Sequence, residues 1–296
     1  MEGAKSKRLL TGLILSLVVV ICLALGGIPT MLFLATVIFI ASREYVTILK
    51  NKGFFPSLTL ILIADAAFAF FIFLHRFDLL PLIITIAIIS AFLVILFRGR
   101  QPYIANVATT MLGFMYGGWL PCHLILLRQL GQDNIGFFKF WHNEGLGFVM
   151  FLILTVITTD VAAYFFGSKF GKTKLSPVIS PKKTVEGALC GAFCAVIVAF
   201  ITGHFIGLLW YQSLFAGILI TIFAQLGDLA ESLIKRDAGV KDSGDTLPGH
   251  GGFLDRADSF IFATPVAFYY FKYFVSSNDL FVDFVKFANG VFNAYF

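Results

Sequence analysis

Apolar residues run along this chain in blocks long enough to cross a bilayer, separated by short clusters of glycine, proline and charge. A helix needs about 20 apolar residues to traverse the hydrocarbon core. By that rule the pattern predicts nine spanning helices, at 9–26, 28–49, 57–75, 79–97, 103–127, 146–167, 187–209, 212–234 and 257–275. The first block is too long for the apolar core of a cleavable signal, and a second follows almost at once through Gly26-Gly27-Ile28-Pro29. The expected fold is therefore all-α and polytopic, one membrane domain over 1–296. Its spans in 1–145 read as an anchor, and the spans and loops of 146–275 carry the chemistry.

Composition supports that class. Of 296 residues, 58% are hydrophobic and 13% charged, against about 25% charged in ordinary soluble domains. With a mean hydropathy of +0.89, the chain lacks the polar surface a soluble enzyme of this size requires, and a disordered or collagen-like chain is excluded as well. The net charge of +5 is a topology signal rather than a sign of nucleic-acid binding. If the N-terminus is cytoplasmic, 17 basic residues fall on the inner side and 5 on the outer, as the positive-inside rule requires. Nine spans then place the C-terminus outside. Cys22, Cys122, Cys190 and Cys194 lie within or beside apolar blocks and read as small packing residues, with neither zinc spacing nor a disulfide framework.

The polar side chains are unevenly spread. Residues 228–258 hold 11 of the 39 charged residues and 7 of the 17 carboxylates, so this tenth of the chain is the place to look for chemistry. At the end of the eighth block Gln225, Asp228, Glu231, Ser232 and Lys235 recur every three or four residues and share one helical face. Such a stripe should face protein or a wet cavity, because charge in hydrocarbon is costly. Asp255, Asp258 and Ser259 repeat the pattern where the ninth block begins, after Pro248-Gly249-His250-Gly251-Gly252, a turn whose glycines let backbone come close to a ligand. Carboxylates gathered with Lys235, Arg236, Lys241 and Arg256 suit a Mg²⁺ ion that bridges substrate phosphates, the cations offsetting the remaining charge. Asp160, inside the sixth block with Tyr164 on the same face, is a further candidate, since an intramembrane acid marks a site by default. Asp65 in the third block is isolated and reads as a partner for a neighbouring helix.

The run Ser232-Leu-Ile-Lys235-Arg236, then Lys241-Asp242, then Leu247-Pro-Gly-His-Gly-Gly-Phe-Leu-Asp255-Arg256-Ala-Asp258 resembles the signature of the phosphatidate cytidylyltransferases, or CDP-diacylglycerol synthases. The likeness extends to Ser180-Pro-Lys-Lys-Thr-Val-Glu186-Gly187 and to Asp160-Val-Ala-Ala-Tyr164, and so covers most of the C-terminal half. It implies a multi-pass enzyme of the inner (cytoplasmic) membrane, with its active site on the cytoplasmic side. Such an enzyme converts CTP and phosphatidic acid to CDP-diacylglycerol and pyrophosphate with Mg²⁺, and is open to a second cation. Under that resemblance Asp228 and Asp255 are the expected metal ligands, with Asp258 a third candidate. Lys235, Arg236, Lys241 and Arg256 would hold the triphosphate and lipid phosphate, joined by Lys182 and Lys183, with Asp160 a further substrate-binding candidate. His250 would bind phosphate or protonate the leaving group.

Two other readings use the same residues. A CTP-dependent polyprenol kinase would need similar groups but would transfer the γ-phosphoryl. An ion-coupled transporter would use Asp65, Asp160 and Asp228, yet should show paired broken helices in two related halves, and no internal repeat is visible. Gly167-Ser-Lys-Phe-Gly171-Lys172-Thr173 resembles a P-loop but has three residues between its glycines instead of four. Gly187 and Gly191 form a GxxxG motif, which signals close helix packing within the chain or across a homodimer.

Overall fold

The computed structural model describes residues 2–131, 144–246 and 251–276. Glycine and proline punctuate its helices where the apolar blocks break. Gly26 (φ 67°) and Gly27 (φ 50°) turn the chain between α1 (Glu2–Leu25) and α2 (Gly27–Asn51), a backbone conformation glycine adopts without steric cost. Ser57 caps α3 (Leu58–Phe73), its side chain accepting the Leu60 N–H at 3.4 Å. Gly99, left-handed at φ 61°, ends α4 (Leu80–Arg98). The fifth block is a single rod: α5 (Tyr103–Phe114), a π-helical turn at Met115–Trp119, and α6 (Leu120–Gln129).

The C-terminal elements are α7 (Glu144–Phe170), α8 (Val185–Phe205), α9 (Trp210–Asp237) and α10 (Leu254–Tyr270), the last prolonged by a π turn at Phe271–Ser276. Each of the nine apolar blocks falls on one of these rods. Among the described residues six helices are long and apolar enough to cross a membrane: Gly27–Asn51, Phe77–Arg98, Tyr103–Gln129, Glu144–Phe170, Val185–Phe205 and Trp210–Asp237. The helix α3 has 16 residues and α10 has 17, both shorter than a full crossing. One local departure from the all-α expectation lies between α7 and α8. There β1 (Lys174–Ser176) and β2 (Ser180–Thr184) pair as an antiparallel hairpin, Lys174 opposite Thr184.

Small residues set the closest helix contacts. A Cβ on Gly187 would come 2.7 Å from the Ala163 carbonyl oxygen, and one on Gly191 would come 2.8 Å from that of Thr159. The GxxxG motif is thus used inside the chain, letting α8 lie directly on α7. Ala195 and Ala199 continue that stripe, fully buried, and Gly217 brings α9 onto Ala199. Between α7 and α9 the buried Thr159 and Thr221 hydroxyls bond at 3.2 Å, so each satisfies the other away from water. Phe68, Phe114, Phe151 and Phe271 fill the centre, while long apolar side chains such as Phe97, Ile104, Phe193 and Phe205 point outward. A soluble protein rarely carries so much exposed apolar surface.

Candidate active site

The polar stripe of α9 faces protein, as its spacing requires. Glu231, Ser232 and Lys235 are buried and Asp228 is half-buried, and Gln225 Nε2 donates to the Ala188 carbonyl of α8 at 3.1 Å. Around this stripe gather the first turns of α10, the β-hairpin and the middle of α7. The Lys235 ammonium pairs with Glu231 one turn earlier and donates to Asp255 Oδ1 at 2.6 Å. Asp255 Oδ2 accepts the backbone N–H groups of Ser243 (2.9 Å) and Gly252 (3.0 Å). A side chain at Gly252 would run into the Ser243 hydroxyl, with Glu44 Oε2 also only 2.8 Å from its Cβ. That crowding explains why this turn needs glycine.

One layer deeper, Lys183 of β2 pairs with Asp228. Ser232 Oγ donates weakly to Asp228 Oδ1 at 3.5 Å. Asp258 Oδ1 accepts the Ser259 N–H at 2.6 Å, and the Ser259 hydroxyl donates to Asp160 Oδ1 at 3.3 Å, tying α10 to α7. Asp258 lies within electrostatic reach of Asp228, Glu231 and Asp160. Glu231 and Asp255 are thus bonded to Lys235 and Asp228 to Lys183, while Asp160 and Asp258 are joined through Ser259. Like charges crowded at low dielectric repel strongly, and the five carboxylates here outnumber the two ammonium groups.

Those donors fit Mg²⁺, but unequally. Both oxygens of Asp255 are engaged, by an ammonium and two amides; those of Asp228 are held more loosely, by the half-exposed Lys183 and a weak Ser232 bond, and Asp258 accepts the Ser259 N–H. Among the described residues no three His, Cys, Asp or Glu side chains form a preformed cage. A Mg²⁺ ion held here would therefore rest on one or two carboxylates, with water and substrate phosphate completing its shell.

The sequence profile of the cytidylyltransferase family matches residues 6–274. The chain belongs to that family. It is 37% identical over 273 residues to a protein of Synechocystis named phosphatidate cytidylyltransferase, covering 84% of this chain and 90% of that protein. A phosphatidate cytidylyltransferase of Staphylococcus haemolyticus is 36% identical over 269 residues, 88% of this chain and 96% of that one. The chloroplastic phosphatidate cytidylyltransferase 4 of Arabidopsis thaliana is 33% identical over 288 residues, 90% and 73% of the two chains.

In this cytidylyltransferase the expected site residues are not all placed alike. Asp160, Lys183, Asp228, Lys235, Asp255 and Asp258 form the contact network above. Lys182 on β2 and Lys241 beyond α9 are exposed at its edge, as is Arg256 on the first turn of α10. Arg236 is turned to another use: its guanidinium donates to the carbonyls of Ile179 (3.1 Å) and Val240 (3.0 Å), pinning the hairpin to the end of α9. His250 lies outside the described residues. Asp65 stands apart on α3, where it accepts the Ser42 hydroxyl at 3.0 Å and packs on Gly118 at the π turn.

Sequence reasoning missed Glu44. This buried α2 carboxylate accepts from Ser243 Oγ (3.2 Å), Thr246 Oγ1, Phe253 N–H (2.9 Å) and Leu254 N–H (2.7 Å). It therefore caps α10 and shares Ser243 with Asp255. A helix N-terminus favours such an anion. An acid inside the block 28–49 was the available signal, masked by its neighbour Arg43 and by Lys50 and Lys52 just beyond.

Proposed function

We propose that this cytidylyltransferase joins CTP to phosphatidic acid, forming CDP-diacylglycerol and releasing pyrophosphate. The observation that carries the reading is the pairing of family membership with a carboxylate-and-lysine cluster at one end of a bundle of membrane-length helices. The lipid phosphate is already nucleophilic, so the reaction needs neither a serine or cysteine nucleophile nor a strong base. An oxygen of the phosphatidate attacks the α-phosphorus of CTP, the bond from that phosphorus to the β-phosphate bridging oxygen breaks, and pyrophosphate leaves with the electron pair. Catalysis is then positioning and charge neutralisation.

Asp228 and Asp258 are assigned as ligands of Mg²⁺, which when bound neutralises triphosphate charge. Asp255 serves in this reading as the post that holds Lys235, Ser243 and Gly252 together. Lys183, beside Asp228, would serve substrate phosphate together with Lys182, Lys241 and Arg256. The basic residues at this end of the bundle support a cytoplasmic active site in the inner membrane, a cytoplasmic N-terminus and nine crossings, with α3 and α10 completing theirs through adjoining turns.

The test uses purified protein with phosphatidic acid, Mg²⁺ and CTP labelled at the α- or γ-phosphate. Label from the α-phosphate should enter lipid and label from the γ-phosphate should leave as pyrophosphate. Transfer of the γ-label alone to a polyprenol would overturn the proposal in favour of a kinase.

A further inference from the structure

A second charged cleft lies among the N-terminal spans, away from the carboxylate cluster. It encloses about 430 Å³ where the end of α2, the start of α3, the end of α4 and the start of α5 meet. Lys50, Arg98 and Arg100 line it, over apolar walls that include Phe55 and the buried Ile95. It opens at the same end of the bundle as the active site. Two residues past Lys50, Lys52 donates to the carbonyl (2.7 Å) and carboxylate (2.6 Å) of Asp237, the last residue of α9.

Ordinary positive-inside charge would be solvated and loosely held, and two features here differ from that. Among the described residues no carboxylate lies within ion-pair distance of Lys50, Arg98 or Arg100, so three cations share one cleft without compensation. Arg100 is also fixed in place. Its guanidinium carbon sits 3.3 Å from the Phe55 ring centroid. The fully buried Asn106 accepts the Phe55 N–H at 2.7 Å and donates to the Arg100 carbonyl at 2.9 Å. A buried amide thus organises a cation–aromatic pair whose charge points to an anion the chain does not supply. Leu96, next to the lining residue Ile95 on α4, and Ile104, two residues before the lining residue Asn106 on α5, are exposed apolar side chains.

We propose that this cleft binds the headgroup of an anionic phospholipid as an accessory site, separate from the reaction centre. The headgroup phosphate sits between Lys50, Arg98 and Arg100, and the acyl chains lie along Leu96 and Ile104. Three positive charges and an apolar flank complement that ligand at both of its ends. A soluble phosphate would use only one.

The test compares the full chain in neutral detergent with the variant Lys50→Gln/Arg98→Gln, two exposed side chains that hold no part of the fold. The probes are phosphatidylglycerol, phosphatidylcholine and inorganic phosphate, read by native mass spectrometry of retained lipid. Each basic residue near an anionic lipid contributes about five-fold in affinity. Phosphatidylglycerol retention should therefore weaken on the order of 30-fold in the variant, with phosphatidylcholine unaffected and turnover of saturating phosphatidic acid in detergent without other lipid unchanged. Equal phosphatidylglycerol retention by both proteins overturns the proposal. So does phosphatidylcholine binding as tightly as phosphatidylglycerol in the parent, a comparison that stands without any variant. Displacement of phosphatidylglycerol by equimolar inorganic phosphate would instead mark a site for a free anion.

Discussion

Removing Glu44 should damage an active site that its side chain never enters. The carboxylate accepts two backbone N–H groups at the start of α10, from Phe253 and Leu254, and two hydroxyls, from Ser243 and Thr246. In Glu44→Ala the two amides lose their partner in a buried setting, at about 1–3 kcal/mol each. The expected loss is thus roughly 2–6 kcal/mol. Glu44→Gln keeps one acceptor oxygen but loses the charge, and should fall in the lower half of that range. Cys122 is free and fully buried while Cys22, Cys190 and Cys194 are partly exposed, so with those three replaced by serine a thiol-reactive dye reports Cys122 exposure as the detergent-solubilised protein is heated. Turnover is measured in parallel below the melting range. Because Ser243 bonds both Glu44 and Asp255, kcat should drop at least about ten-fold in Glu44→Ala, equivalent to roughly 1.4 kcal/mol of transition-state stabilisation. Partial recovery is expected in Glu44→Gln. An alanine variant with parental melting and parental turnover would refute the idea that α2 organises the signature turn.

Asp228→Asn and Asp258→Asn should each lower turnover by about 10²-fold or more, the scale on which a single electrostatic group at a reaction centre acts. Membrane insertion should be unchanged, and full activity in either variant would remove that residue from the metal assignment. Chelation with EDTA should stop turnover and added Mg²⁺ should restore it, so activity that persists through chelation would dismiss the cation. Lys235→Met leaves Glu231 and Asp255 facing each other without their shared ammonium. Breaking a buried pair in this way costs about 3–5 kcal/mol, visible as a fall in the Cys122-exposure temperature, and an unshifted melt would show that Lys235 is not a keystone.

The apolar blocks made the rods legible because, in a bilayer, backbone polar groups have no partner except one another, so length and composition alone dictate helix. What that rule leaves open is any segment outside hydrocarbon. The β-hairpin at 174–184 belongs to this class. Lys174 to Thr184 show no alternation of apolar and polar residues, and the strands are held instead by their ends. Thr184 caps α8 by accepting the Gly187 N–H at 3.2 Å. Glu186 accepts the Lys172 and Thr173 N–H groups at 3.0 and 3.1 Å. Such ties involve a few specific atoms and leave no periodic trace.

A similar difference separates the parts of the site. Asp228, Glu231 and Lys235 could be read together because one helix carries them at steps of three and four, and Asp255 and Asp258 because they are one turn apart on the next. Lys183 and Asp160 reach the same centre from other elements, and spacing along the chain says nothing of that meeting. Glu44 is the extreme case, bonding atoms 199 to 210 residues away. Its contacts also revise the division of the chain into an anchor and a catalytic part. A buried carboxylate is costly unless it is fully hydrogen-bonded, so α2 and the 243–254 turn each satisfy groups the other leaves exposed. An anchor serving only to hold the protein in lipid would have no reason to bury an acid there. The N-terminal spans are therefore part of the machinery that shapes the signature turn.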